Sequence, residues 1–267
     1  MEKNIETSIK AFTEHDSFSH KKFNFPALFT IFGTPKSGKS YYVFHLLKEI
    51  KKNFDRIIIY LGTKDAAAGF LSLADSKSKK PVINVLFKYD AEDLYKYFKK
   101  LETEQLQLIE AKKSPQRVLL VFDDILGLHG FMTTNRAKPS PIHEISANYR
   151  HLGLSVIITS QSYMDVIKPI RALNFKYCII TSVGMKDLKQ IGEEHENLYF
   201  SGKDIIEIFK NIRSHGIGNC MLISNDDDDL HRFWWLHKDG EITNVKPVKN
   251  NIKILYITNE RIRKRNA

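Results

Sequence analysis

Along the chain, short apolar runs alternate with stretches whose apolar residues recur every three or four positions. "ALFTIF" (27–32), "RIIIYL" (56–61), "VINVLF" (82–87), "RVLLVFDD" (117–124), "LSVIITSQ" (154–161) and "YCIIT" (177–181) are brief and rich in β-branched residues, which predicts strands. "NCMLIS" (219–224) and "HRFWWL" (231–236) predict two more, paired as a hairpin around the turn at Asp226–Asp229. Between them lie helical patterns. After Lys39, the residues Val43, Leu46, Leu47 and Ile50 fall at i, i+3, i+4 and i+7, one face of a helix. A long helix is expected over 91–113 with Leu94, Phe98, Leu101 and Leu108 inward, stopped by Pro115, and shorter ones at 142–151, 186–194 and 203–213.

Strands this uniformly apolar must be covered on both faces, which is the signature of parallel pairing through right-handed helical crossovers. The expected fold class is therefore α/β, a mostly parallel central sheet with helices on both faces and additional C-terminal edge strands. No linker separates two cores. The expected organisation is an N-terminal arm at 1–22, one domain at 23–237 and a basic C-terminal tail at 238–267.

Composition adds three constraints. Of 267 residues 42% are hydrophobic, enough for a sizeable core and against global disorder. Lys and Arg total 41 against 31 Asp and Glu, a net +10 that suits a polyanionic partner or simple solubility. Cys178 and Cys220 sit inside apolar runs without metal-ligand spacing, which predicts reduced core thiols and a soluble intracellular protein. No apolar run approaches the ~18 residues that a membrane span requires, so no membrane insertion is expected.

The first strand leads into "GTPKSGKS", which fits G-x-x-x-x-G-K-S with a strand before it and a helix after it, the signature of a P-loop NTPase. Glycine at 33 and 38 permits backbone geometry that turns successive N–H groups inward, and the helix N-terminus adds positive potential. Gly33, Thr34, Pro35, Lys36, Ser37, Gly38, Lys39, Ser40 and Tyr41 are the expected nucleotide-binding set, with Lys39 reaching the β- and γ-phosphates. Ser40 and Asp123 are the expected ligands of Mg²⁺, Asp123 acting from a strand tip through water. Asp124 is a candidate for orienting or deprotonating the attacking water; the plain alternative for both aspartates is a turn. Gln161, at the end of another buried strand, could sense the γ-phosphate or position water.

These motifs, together with "NYRHLGLSVIITSQSYMDVIKPIRALNFKYCII", resemble the viral genome-packaging ATPases of the FtsK/HerA class, notably the poxvirus-type packaging ATPases of large DNA viruses. The resemblance covers about residues 25–224. It implies that Arg150 and His151 match an Arg-His pair, with Tyr149 where glycine is often found, and that Arg171 matches a later loop arginine. It further implies an ATP- and Mg²⁺-dependent ATPase acting as a homo-oligomeric ring. In such a ring an arginine, Arg150 or Arg171, completes a neighbour's site. The implied partners are double-stranded DNA and a viral capsid or portal vertex, the implied location a virion assembly site in the host cytoplasm. Alternatives are a helicase or translocase in replication or chromosome handling, a P-loop nucleoside kinase, or a nucleotide-gated scaffold. "RIRKRNA" at the end of the chain is the densest basic run, suited to phosphate contact or to solubility. Trp234 and Trp235 are expected in the core or at a subunit interface.

Overall fold

The computed structural model describes residues 23–62, 67–74, 82–86, 91–124, 140–237 and 242–245. The expected arm at 1–22 and, apart from residues 242–245, the expected tail at 238–267 lie outside them.

Among the described residues nine strands form one sheet: β1 (Leu28–Gly33), β2 (Arg56–Leu61), β3 (Val82–Leu86), β4 (Val118–Asp123), β5 (Leu154–Ser160), β6 (Tyr177–Ser182), β7 (Cys220–Ser224), β8 (Phe233–Leu236) and β9 (Ile242–Asn244). Their spatial order is β3-β2-β4-β5-β1-β6-β7-β8-β9. From β3 to β6 every pairing is parallel; β6-β7, β7-β8 and β8-β9 are antiparallel. The sheet is thus mixed α/β as expected, with one strand more than the hydrophobic pattern revealed.

Six α-helices among the described residues cover it: α1 (Lys39–Ile50), α2 (Ala67–Ala74), α3 (Ala91–Glu110), α4 (Pro141–Asn148), α5 (Met185–His195) and α6 (Gly202–Ser214). Alternate strand residues feed two separate cores. Phe29, Ile31, Ile57, Ile59, Leu119 and Val121 pack with α1 and α2; Phe32, Ile58, Leu120, Phe122, Val156 and Ile158 pack with α3 to α6. Burial of this apolar area, at roughly 25 cal/mol per Å², is the main force ordering the sheet. Val43, Leu46, Leu47 and Ile50 are all buried along α1. On α3, Leu94, Phe98 and Leu101 are buried, but Leu108 is only half-buried and Gln105 takes the inward position. The Gln105 amide donates to the Gln116 carbonyl at 2.7 Å and accepts the Gln116 N–H at 3.0 Å, so a polar side chain there satisfies the backbone entering β4.

Because β1 lies between β5 and β6, with β4 beyond β5, the carboxyl ends of these four strands stand in a row. In parallel sheets this is the edge where ligands bind.

Candidate active site

β1 ends at Gly33, and the chain loops to the first turn of α1. The N-terminus of α1 has Gly38 as its cap, at φ 94°, with no side-chain cap and no acidic residue in the first turn. The leading N–H groups of the helix therefore lack a partner inside it and present positive potential to an anion. Gly33 has a different reason to be glycine from the one the motif suggested. Its φ is not positive; the left-handed residue in the first half of the loop is Lys36, at φ 62°. At Gly33 a Cβ would stand 1.9 Å from Thr181 Oγ1 and 2.4 Å from Ser37 Oγ. Close packing against β6 excludes a side chain there. Two loop amides also turn inward on the protein: Thr34 N–H donates to the Ser182 carbonyl at 2.7 Å, and Ser37 N–H to the Thr34 carbonyl at 3.2 Å. Thr34, Pro35 and Lys36 are exposed, and the Tyr41 ring packs against His45.

The Lys39 ammonium is only 7% exposed and donates to the carbonyls of Gly33, at 2.6 Å, and Thr34, at 3.3 Å. Burial pushes its pKa down, while Asp124 and Asp123 pull it back up. Beside it, the Ser40 hydroxyl donates to Asp123 Oδ2 at 3.0 Å. Asp123, 2% exposed, also accepts from Thr159 Oγ1 at 2.8 Å. Burial raises its pKa, opposed by the bonds from Thr159 and Ser40. Two oxygen donors, one anionic, thus meet below the phosphate loop.

Asp124 follows with φ 55° and its N–H donates to Thr159 Oγ1 at 2.8 Å. The left-handed backbone turns the carboxylate away from the strand direction, and Gln161 Nε2 donates to its Oδ2 at 2.8 Å. Gly62, just beyond β2, makes room for this turn: a Cβ there would lie 2.4 Å from the Asp124 carbonyl oxygen.

The structure therefore brings together Gly33, Gly38, Lys39, Ser40, Asp123, Asp124 and Gln161. Thr159 and Thr181 are additions that motif reading missed. β5 and β6 share the ending "IITS" at 157–160 and 179–182, and these two threonines flank β1 from either side. That repeated ending is the signal that could have found them. Thr181 Oγ1 donates to the Phe32 carbonyl and contacts Ser37 Oγ at 2.8 Å, bracing the loop.

The two arginines lie elsewhere. Arg150 and His151 are exposed near the amino end of β5, so the seven-residue strand separates them from the site by roughly 20 Å. The Arg150 Nε donates to the Tyr149 hydroxyl at 2.8 Å. Arg171 departs from the role the resemblance implied. It is 8% exposed and forks onto Glu194, Nε to Oε2 at 3.0 Å and Nη2 to Oε1 at 2.6 Å, while Nη1 donates to the Val166 carbonyl at 2.6 Å. A guanidinium spent in this way does not project toward a neighbouring subunit.

The model of the poxvirus A32 protein family matches residues 10–256. This chain belongs to the poxvirus A32 protein family. Among solved structures, the A32-family chain is similar to B204, the genome packaging NTPase of Sulfolobus turreted icosahedral virus 2. In the sulfate complex, identity is 20% over 85% of this chain and 98% of B204, with a TM-score of 0.51. The AMPPCP complex gives 20% identity, 85% of this chain, 100% of B204 and a TM-score of 0.51. B204 described as the DNA-packaging ATPase from Sulfolobus turreted icosahedral virus gives 20%, 83%, 98% and 0.50. These likenesses show a shared P-loop fold. No curated protein matches the A32-family chain.

Proposed function

We propose that this A32-family chain is an ATP-hydrolysing motor that moves double-stranded DNA into a viral capsid. One observation carries the reading: the Ser40 hydroxyl and Asp123 carboxylate meet at 3.0 Å under a phosphate loop, with Asp124 and Gln161 joined beside them. The structural relatives, a genome packaging NTPase in complex with AMPPCP and a DNA-packaging ATPase, point the same way.

The N–H groups at the start of α1 receive the phosphates, and Lys39 swings from the carbonyls of Gly33 and Thr34 onto the β- and γ-phosphate oxygens. Ser40 and Asp123 fit Mg²⁺: both are hard oxygen donors, and Asp123 is a buried carboxylate whose charge burial disfavours. Among the described residues no three His, Cys, Asp or Glu side chains gather as a metal site, so the remaining ligands would be phosphate and water oxygens. The ion would neutralise charge on the phosphates. Asp124 accepts a proton from, or orients, the attacking water, and Gln161 holds that carboxylate in place. Arg150, far from its own subunit's phosphates, reaches only a neighbour's, which calls for a head-to-tail ring. The capsid or portal vertex as docking partner, and assembly in the host cytoplasm, belong to the same proposal. Among the described residues no helix is long and apolar enough to cross a membrane.

The test is the ATPase rate with and without duplex DNA, with assembly state followed by light scattering. Duplex DNA should raise turnover, and turnover should rise with protein concentration. Arg150→Ala should lose about 10³-fold or more, and mixing it with Lys39→Ala should restore activity because each supplies what the other lacks. Full activity of Arg150→Ala alone would remove the trans role. Unwinding of duplexes without capsids would favour the helicase alternative, and phosphoryl transfer to a nucleoside the kinase.

A further inference from the structure

Gln161 opens a strap that runs to the π-helical turn Pro169–Asn174 before β6 begins. α5 holds this strap by two carboxylates, seven residues or about 10 Å apart on one side of the helix. In its first turn, Asp187 accepts from Ser162 Oγ at 3.3 Å and from Tyr163 N–H at 3.0 Å. In its last turn, Glu194 accepts the Tyr163 hydroxyl at 2.7 Å together with the Arg171 fork. His195 completes the set. Arg232 has no acceptor capacity, so its Nη2, 3.3 Å from His195 Nδ1, must donate there. His195 then carries its proton on Nε2 and donates to the Tyr163 oxygen at 2.9 Å, leaving the tyrosine proton for Glu194. Arg171 also lies over the Tyr163 ring, 5.2 Å from its centre.

The strap and α5 are therefore joined by directional, buried bonds, whereas Leu188 and Ile191 join α5 to the sheet by apolar contact, which has no preferred direction. The two ends of α5 also differ. The carboxyl end is pinned: a Cβ on Gly192 would sit 2.8 Å from the Gly202 carbonyl at the start of α6, and His195 is tied to Arg232. The amino end begins at Gly184, which has no side-chain cap and open space around it, followed by exposed Met185 and Lys186. A rigid rod pinned at one end and linked near the other to the two residues that follow Gln161 is a lever.

We propose that Asp187 and Tyr163 are positioning residues that couple Gln161 to α5, so that loss of the γ-phosphate moves the strap and the amino end of α5 together about a pivot at Gly192–His195. This rests on the ATPase reading above and adds the element that carries its output. Arg171 and Glu194 are part of the link.

Hydrogen–deuterium exchange of the full chain with AMPPCP and with ADP tests it. In the wild type, residues 162–171 and 185–195 should change protection together between the two nucleotides. In Asp187→Asn, which keeps the shape of the side chain, the strap should still respond while α5 does not; Tyr163→Phe, which frees only the Glu194 end and leaves the Asp187 bond to its N–H, should weaken the coupling less. DNA-stimulated turnover should fall about tenfold with nucleotide affinity unchanged. A wild-type α5 indifferent to nucleotide while the strap responds, or an α5 that responds equally in both variants, overturns the inference alone. A phosphate loop that neither nucleotide protects would overturn the ATPase reading, and the inference with it.

Discussion

Two buried cations of this chain stand next to carboxylates, and they are used in opposite ways. Arg171 and Glu194 saturate one another: the fork, the Val166 carbonyl, the Tyr163 hydroxyl and Gln190 leave neither ion short of a partner. Burial would raise the Glu194 pKa, but the bonds from Arg171 and Tyr163 bring it below the ordinary carboxylate range. At the phosphate loop, Lys39 makes no bond to Asp123 or Asp124; it leans on two carbonyls, and burial holds its pKa down. Asp123 has hydroxyl partners only, and burial holds its pKa up. The difference separates structure from site. Closed charge pairs fix an arrangement, while charges kept apart at a cost are set to be completed by a ligand.

The strongest way to break this comparison is Arg171→Ala. It strands Glu194 in the interior, and unfolding in urea should show a loss of roughly 3–5 kcal/mol. Replacing both partners, as Arg171→Met with Glu194→Gln, should recover part of it. Stability unchanged in Arg171→Ala would mean the pair is not closed. Lys39→Ala should do the reverse. Steady-state ATP hydrolysis should drop about 10²–10³-fold, while the urea midpoint stays level or rises, because the folded chain no longer desolvates an ammonium. Normal hydrolysis by this variant would end the ATPase proposal.

The smallest effect is a pH dependence. Burial, aided by the Arg232 charge, lowers the His195 pKa from 6.5 to about 3. The unfolded chain therefore binds a proton below pH 6.5 that the folded chain refuses. Stability falls with acidification, approaching about 1.4 kcal/mol per pH unit well below 6.5. Between pH 6.5 and 5, above the range where carboxylates titrate, His195→Asn should flatten this slope. An unchanged slope would show that His195 already accepts the proton.

Most of the sheet was legible because its strands are apolar on both faces, and "RIIIYL" matches β2 residue for residue. β9 was not, since "ITN" is short and polar and gains its place only by pairing with β8. Gln105 was unreadable for a similar reason: a polar residue on a helix is expected outside unless a distant backbone, here at Gln116, needs it. Lys39, Ser40 and Asp123 could be placed because strand and loop chemistry alone bring them to one edge. Arg171 could not, because its partner lies on α5, 23 residues further along the chain. Similarity of motif carried its position but not its environment.

Gly62 carries no reactive group and lies outside the phosphate loop, yet it clears the path along which Asp124 turns. Freedom to vary at the end of β2 is thus limited by a neighbour's backbone and not by chemistry of its own. A mutational scan scored on ATP turnover would show a blank space at position 62, where even alanine intrudes on the carbonyl of Asp124.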